Sequence, residues 1–436
     1  MTLRFGTDGV RAEALTVLTT DYVASLTQAA AKVLGGSQWL IGRDTRESGP
    51  ALEAAAIAGL ISAGVSPLPL GVVPTPALAW LAAQMDVPAV MITASHNPWQ
   101  DNGVKIFGQG GLKLTDEVEQ SIEAMLHGDD APAAPAAPVI ATWHDWSDRY
   151  TAHLVGIDGS LTGLRVVLDC GNGATFEAAP AVFRGLQADV VVIHDSPNGR
   201  NINDDCGATN TASLAEAVIA HEADLGLAFD GDGDRVIAVD HRGQVIDGDR
   251  MIALAALQLR DEGSLHHNTV VVTVMSNLGF HKAMDAAGVQ VVTTAVGDRY
   301  VLEALAAGGY SIGGEQSGHV IYRDLATTGD GVLAGLRLAQ FVHESGRPLA
   351  ELADEVMTTY PQVLVNVKVR DRHPQVAEEL ADDIASAERA LGGEGRVLVR
   401  ASGTEPLIRV MVEARTQAAA QRVADELGLT VLRRFG

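Results

Sequence analysis

A chain of 436 residues is long for one domain and short for more than four, at roughly 100 to 200 residues per domain. Its 55 acidic against 31 basic residues leave a net charge of −24; that field repels polyanions, so nucleic acid and anionic membranes are disfavoured as partners and an anionic substrate needs a locally basic pocket. No run of 18 apolar residues marks a membrane span, Met1–Gly6 leads into no secretory segment, and Cys170 and Cys206 stand outside any C-x-x-C or Cys/His cluster, so a cytoplasmic protein with two ordinary thiols is expected.

With 47% hydrophobic but only 4% aromatic residues, the core must be built from Ala, Val, Leu and Ile. A pattern of short apolar strand, polar or glycine-bearing turn, alanine-rich helix and second strand recurs three times. The first copy runs from Trp39–Ile41 through the turn Gly42–Arg46 and a helix near Leu52–Ala63 to Val65. The second runs from Val166–Leu168 through Asp169–Gly173 and a helix to Val190–Ile193, and the third from Val270–Val274 through Ser276–Gly279 and a helix to Val289–Val292. Each is a βαβ-like unit, which predicts mixed α/β domains around largely parallel strands. Between the first two copies, residues 131–138 carry too many prolines for a helix and read as an exposed loop near the end of the first domain. After about Pro361 a strand (Val363–Val369), a helix (His373–Leu391), two strands (Val397–Arg400 and Ile408–Val412) and a final helix predict a smaller α+β domain.

The apolar run Ala89–Ile92 is followed by Thr93-Ala94-Ser95-His96-Asn97-Pro98, where Pro98 disfavours helical geometry at Asn97. An exposed serine held in such a loop serves as a nucleophile or phosphate carrier. Taken alone, the Ser95–His96 pair also reads as a serine in a polar turn, and with no third partner assignable it makes no triad. After the strand-like Leu225–Phe229 come Asp230, Asp232 and Asp234, spaced by glycines and closed by Arg235, at a strand end where α/β proteins place ligands. That much like charge is tolerated only where a cation or solvent neutralises it. A calcium EF-hand would want Gly and Glu where Arg235 and His241 stand, so Mg²⁺, held by a few carboxylates and a phosphate oxygen, fits better, the alternative being an acidic turn. Gly313–His319 offers the carboxylate of Glu315, the hydroxyl of Ser317 and the imidazole of His319 in a flexible loop, suited to sugar hydroxyls or merely an incidental polar turn. Arg400–Pro406, with Arg409 beyond, groups two arginines, the hydroxyls of Ser402 and Thr404, and Gly403 between two strands. That is a phosphate cradle if it is not a solvated hairpin, because arginine pairs bidentately with phosphate and amide-lined turns bind anions. No P-loop and no G-x-G-x-x-G after a strand is present; Gly171-Asn172-Gly173 is half of the latter and is expected to start a helix.

In this order the motifs resemble the α-D-phosphohexomutase superfamily over nearly the whole chain, from Phe5–Arg11 to Arg400–Glu413. Phe5–Arg11, Val296–Tyr300, Gln316 within Gly314–His319, and Arg409–Glu413 are similar to its glucosamine branch rather than to the mannose and glucose branches. The resemblance implies an α/β protein of three related mixed α/β domains (1–152, 153–253, 254–362) and a smaller C-terminal α+β domain (363–436) around a central cleft. It implies that Ser95 is a phosphoserine which, with Asp230, Asp232 and Asp234, holds one Mg²⁺ per subunit. Arg11, Lys105 and His319 would be catalytic residues beside it. His96, Asn97, Arg235, Asp298, Arg299, Glu315 and Ser317 would bind substrate, and Arg400, Ser402, Gly403, Thr404 and Arg409 would hold the distal phosphate. The activity implied is an isomerase's, moving phosphate between positions 6 and 1 of a hexosamine through a 1,6-bisphosphate, with a hexose 1,6-bisphosphate as activator; the resemblance also favours a homodimer. Ala12 stands where the family usually has glycine. A mannose or glucose sister enzyme, and a non-catalytic sugar-phosphate binder, are the rival readings.

Overall fold

The parallel strand pairs expected from the three sequence repeats are all present, and each belongs to a larger sheet of the same design. The computed structural model describes residues 3–6, 8–126, 140, 142–157, 159–402 and 406–436; the alanine-proline loop expected at 131–138 lies outside them. The chain falls into two compact units, residues 1–275 with 288–356, and residues 276–287 with 357–436.

The first unit holds three sheets. In the first, β1 (Val10–Glu13), β2 (Gln38–Arg43), β3 (Ser66–Val72), β4 (Ala89–Ile92) and β5 (Asp101–Phe107) lie in the order β1-β5-β4-β2-β3. In the second, β6 (Arg165–Asp169), β7 (Asp189–Ile193), β8 (Leu225–Phe229), β9 (Val236–Asp240) and β10 (Val245–Ile246) lie in the order β10-β9-β8-β6-β7. In the third, β11 (Thr269–Thr273), β12 (Gln290–Thr294), β13 (Ile312–Gly314) and β14 (Val320–Tyr322) lie in the order β12-β11-β13-β14. Three strands pair in parallel in each sheet, and a fourth turns back antiparallel on the last of them: β5 on β4, β9 on β8, β14 on β13. The loop at that reversal carries Ser95 in the first sheet, the three aspartates in the second, and Glu315 to His319 in the third. The strands leading into these loops are buried along their whole length, as continuous apolar runs in parallel sheets must be, so each loop starts from a fixed point.

Within the first sheet's layer, helices Thr20–Leu34 and Gly49–Ser62 approach so closely that a Cβ on Gly59 would fall 2.2 Å from both the Ala24 carbonyl oxygen and the Thr27 hydroxyl. The second unit contains an antiparallel sheet, β15 (Gln362–Lys368), β16 (Gly395–Ala401) and β17 (Leu407–Ala414), in the order β15-β17-β16, with the helix Gln417–Phe435 after it. The single helix expected at 373–391 is two, Val376–Glu379 and Ala381–Ala390. The chain breaks at Leu380 (φ −108°, ψ 14°), which lets Leu380 enter the core beside Val376. Gly171–Gly173 forms a turn, and the helix it was expected to start begins only at Ala178. The turn is needed where it stands, since a Cβ on Gly173 would lie 2.5 Å from the Gly231 carbonyl oxygen. No helix among the described residues is long and apolar enough to cross a membrane.

The segment following β14 returns to the aspartate loop. Gly331 N–H donates to the Gly233 carbonyl at 3.0 Å, and Asp330 caps the helix Gly331–Ser345 by accepting from Leu333 N–H. The other Asp330 oxygen accepts from the Tyr150 hydroxyl at 2.8 Å. Burial pushes the Asp330 carboxyl up to about 6. The folded value lies above the unfolded one, so between roughly pH 4 and 6 the native state binds more protons and this group's contribution to stability falls as pH rises. Asp330→Asn should therefore gain on the native protein by up to about 3 kcal/mol as pH goes from 4 to 6. Urea midpoints of the two proteins measured across that range would show the gap widening, and a constant gap would contradict the assignment.

Candidate active site

Ser95 follows β4 in a left-handed conformation (φ 52°), rare for a residue with a side chain. Its N–H donates to Thr93 Oγ1 at 2.9 Å, and its hydroxyl donates to Asp230 Oδ2 at 2.6 Å and lies 3.3 Å from His96 Nδ1. The serine was expected to be exposed; it is fully buried. The aspartate loop covers it so tightly that a Cβ on Gly231 would fall 2.6 Å from the Ser95 carbonyl oxygen.

Asp230, Asp232 and Asp234 are all buried, with ligand oxygens within 4.8 Å of one another. Burial, then the charges of Asp234 and Asp232, push the Asp230 carboxyl well above the carboxylate range. Asp234 goes the other way: against the effect of burial, Lys105 and His319 hold it well below. Lys105 Nζ, on β5, reaches Asp232 Oδ2 at 2.7 Å, Asp234 Oδ2 at 2.9 Å and Asp8 Oδ2 at 2.8 Å. Thr75 donates its hydroxyl to Asp232 Oδ2 at 2.6 Å. Asp232 Oδ1 and Asp234 Oδ1 remain buried with no hydrogen-bond partner among the described residues. Two orphaned carboxylate oxygens beside a third carboxylate and a serine oxygen form an all-oxygen donor set, the kind a hard divalent cation such as Mg²⁺ takes.

His319 is buried, its Nδ1 3.7 Å from Asp234 Oδ1 and its Nε2 3.3 Å from Asp298 Oδ2, at charge-pairing distance rather than in hydrogen-bond geometry. Burial opposes its charge, but Asp298 and Asp234 lift its pKa above the ordinary imidazole value. Sequence reading missed two members of this cluster. Lys113 binds Asp8 Oδ1 at 2.6 Å and also Asp298, and Asp8 receives Lys105, Lys113 and, at 2.5 Å, Arg11. Asp8 is three residues from Arg11 inside a stretch already singled out, but nothing local marked Lys113, whose partner Asp298 is 185 positions away.

A cavity of about 400 Å³ opens beside this cluster. Arg4, Arg11, Arg235 and His96 line it together with Asp8, Asp298 and Glu315, so three guanidinium groups offer an anion cationic donors in a chain of net charge −24, although three carboxylates share the lining. Burial, with Arg235 and Arg11 nearby, pulls the His96 pKa down to about 4, so this imidazole is neutral at pH 7. Glu315 accepts from Gly297 N–H at 3.1 Å, and Ser317 is exposed at the tip of its turn. Asn97 donates to Asp101 Oδ2 at 2.9 Å. Arg299 does not line the cavity; its guanidinium is held by Asp116 and Glu119.

In the second unit, Arg400 on β16 stands directly across from Arg409 on β17. Both are half-buried, with no ion-pair partner among the described residues, and Arg400 is pulled below its usual pKa by burial and by Arg409. Like charges facing across strands are destabilising, and an anion accepting from both guanidinium groups relieves the repulsion. Ser402 is buried beside them; Gly403 and Thr404 lie outside the described residues.

Models of phosphoglucomutase/phosphomannomutase match the chain in succession: alpha/beta/alpha domain I at residues 2–133, domain II at 148–243, domain III at 247–360 and the C-terminal domain at 364–428. The chain belongs to the α-D-phosphohexomutase family. Its curated relatives place it in the phosphoglucosamine mutase branch. The phosphoglucosamine mutase of Rhodococcus opacus (strain B4) is 53% identical over 439 residues, 98% of each chain. That of Thermobifida fusca (strain YX) is 51% identical over 439 residues, 98% of this chain and 97% of its own. Among solved structures, a phosphoglucomutase/phosphomannomutase family protein from Burkholderia thailandensis is 25% identical with a TM-score of 0.81, covering 98% of this chain and 97% of that one. Aspergillus fumigatus N-acetylphosphoglucosamine mutase, in complex with GlcNAc-6P and magnesium, is 20% identical with a TM-score of 0.72, covering 100% and 96% of the two chains, a likeness of fold.

Removing Lys113 would leave Asp298 facing only His319 Nε2, at 3.3 Å, while Asp8 keeps Lys105 and Arg11, so the loss falls mainly on one carboxylate and stays below the roughly 3–5 kcal/mol of a buried charge left with no partner. Lys113→Met should lower the urea midpoint accordingly; an unchanged midpoint would mean that the pair contributes nothing net.

Proposed function

We propose that this protein is a phosphoglucosamine mutase, interconverting glucosamine 6-phosphate and glucosamine 1-phosphate through a phosphoserine at Ser95 and a 1,6-bisphosphate intermediate. The observation that carries the reading is the Ser95 hydroxyl, 2.6 Å from Asp230 beside two orphaned carboxylate oxygens and a cavity with three arginines in its lining, in a chain about half identical to phosphoglucosamine mutases over its full length. Asp230, Asp232, Asp234 and Ser95 would hold one Mg²⁺. When bound, the ion supplies positive charge against the transferring phosphoryl group, where catalysis of this chemistry mainly lies.

In the first transfer the bond from phosphorus to Ser95 Oγ breaks as a bond to O1 of the sugar forms. A base among Lys105, Arg11 and His319 takes the O1 proton, and Ser95 Oγ is left to be reprotonated. In the second, the 6-phosphoryl of the bisphosphate returns to Ser95. Arg11, Arg235 and neutral His96 bind phosphate oxygens at the cavity, Asn97 shapes the serine loop, and Glu315, Ser317 and Asp298 meet sugar hydroxyls. Arg299, read from the sequence as a substrate-binding residue, is next to Asp298 at the start of one helix, and its guanidinium is taken up by ion pairs with Asp116 and Glu119. Arg400, Ser402, Gly403, Thr404 and Arg409 grip a phosphate. The four domain spans set out from the sequence, the hexose 1,6-bisphosphate activator, the homodimer and a cytoplasmic location belong to the same proposal.

Ser95→Ala should abolish turnover with an unchanged melting temperature. The check is a phosphorus NMR time course with Mg²⁺, a trace of glucose 1,6-bisphosphate, and glucosamine, mannose or glucose 6-phosphate. Growth of the 1-phosphate signal led by glucosamine supports the proposal; mannose or glucose leading would move the protein to a sister activity, and silence with all three would leave a sugar-phosphate binder. Calorimetric titration should register one Mg²⁺ per chain in the native protein and none in Asp232→Asn; equal binding by both would remove the aspartate loop as the metal site.

A further inference from the structure

The loop that bears Ser95 is gripped through its backbone by two side chains from different sheets, neither of which faces the cavity. Arg46, in the turn after β2, is fully buried. Its Nε donates to Asp44 Oδ2 at 2.9 Å, and the rest of its guanidinium is spent on main-chain oxygens: Nη2 on Ser95 at 2.9 Å and Asn97 at 2.8 Å, Nη1 on Asp101 at 2.9 Å and on Pro98. Asp44 orders the same loop from its start, accepting from Thr93 Oγ1 at 2.7 Å, and Thr93 Oγ1 accepts the Ser95 N–H.

Asn203 arrives from the second sheet's side of the site. Its Nδ2 donates to the Ser95 carbonyl at 2.9 Å and to the Asn97 carbonyl at 3.2 Å, the two oxygens that Arg46 Nη2 already holds. It is wedged against the aspartate loop, where a Cβ on Gly231 would fall 2.9 Å from Asn203 Nδ2. Its Oδ1 is buried without a hydrogen-bond partner among the described residues, so the amide's satisfied half is the half that grips the serine loop.

We propose that Arg46 and Asn203 are positioning residues that clamp the Ser95 loop from two sides and so fix the line along which phosphoryl transfer to and from Ser95 Oγ takes place. The proposal rests on the reading that Ser95 carries the phosphoryl group. A non-glycine residue in left-handed geometry persists only where its surroundings over-determine it, and here two carbonyls flanking the nucleophile are each held by two donors. Charge-assisted bonds from a planar fork are directional, and lysine, a point charge, does not reproduce them. A displacement of the reacting atom by about 1 Å is worth roughly 100-fold in rate. The clamp thus acts on the transfer step and leaves sugar affinity alone.

The test uses the full-length protein with Mg²⁺, glucose 1,6-bisphosphate as phosphoryl donor, intact mass to follow the phosphoenzyme, and steady-state kinetics with glucosamine 6-phosphate. Asn203→Gly removes the amide and keeps the left-handed backbone (φ 56°). It should slow phosphoenzyme formation and kcat together, by about tenfold, with KM and melting temperature unchanged, while Arg46→Lys should lower both rates by about 100-fold. Loss of melting temperature with kcat preserved would reduce the contacts to scaffolding and overturn the proposal. So would native rates in both variants while Ser95→Ala is inactive. Should Arg46→Lys fail to fold, Asn203→Gly decides alone, a native phosphorylation rate overturning the clamp. Ser95→Ala retaining turnover would instead sink the carrier reading, and the clamp with it.

Discussion

Everything in the first unit is arranged around the burial of negative charge. Asp8, Asp230, Asp232, Asp234 and Asp298 sit within one cluster, all but out of solvent, against Lys105, Lys113 and His319. Ionised carboxylates are removed from water only where other charges replace the lost hydration. Lys105 reaches only one oxygen each of Asp232 and Asp234; among the described residues Asp232 Oδ1 has no hydrogen-bond partner and Asp234 Oδ1 has only the charges of His319 and Arg235 at 3.7 Å, an arrangement that a bound cation would complete. The same electrostatic demand explains why the strands feeding the site are apolar along their length. A rigid, water-excluding floor keeps the local dielectric low, and low dielectric strengthens every attraction in the cluster as well as every repulsion.

The second unit poses the opposite problem with the opposite charge. Arg400 and Arg409 face one another across a strand pair, with no ion-pair partner for either among the described residues. In both units the protein's own charges are left unbalanced, and the sense of the imbalance matches the proposed ligands, a cation at one and a phosphate at the other. A folded state that tolerates such imbalance is giving up stability for binding, as functional sites commonly do.

How much of this the sequence disclosed depended on range. The three strand–turn–helix repeats, the serine loop, the aspartate run and the paired arginines are local patterns, and each lies where the pattern put it. The burial of Ser95 was illegible because it arises from the close approach of Gly231, more than a hundred residues on. The Lys113–Asp298 pair and the capture of Arg299 by Asp116 and Glu119 join segments about 180 positions apart, and no periodicity encodes them. The break at Leu380 escaped notice because it is driven by the core position of one side chain, whereas the flanking residues are good helix formers. The clamp on the serine loop had no sequence signature either, since Arg46 and Asn203 hold main-chain atoms, which every residue possesses.

The shared strand order of the first three sheets also decides where polar groups can gather. Reversal of the last parallel strand into an antiparallel neighbour places a loop at the same point of each sheet, and those loops hold a hydroxyl, a set of carboxylates, and a carboxylate with an imidazole. Each sheet therefore contributes a different kind of group from an equivalent place, and a substitution that unseats one sheet removes one kind of group while leaving the other two loops on their own supports.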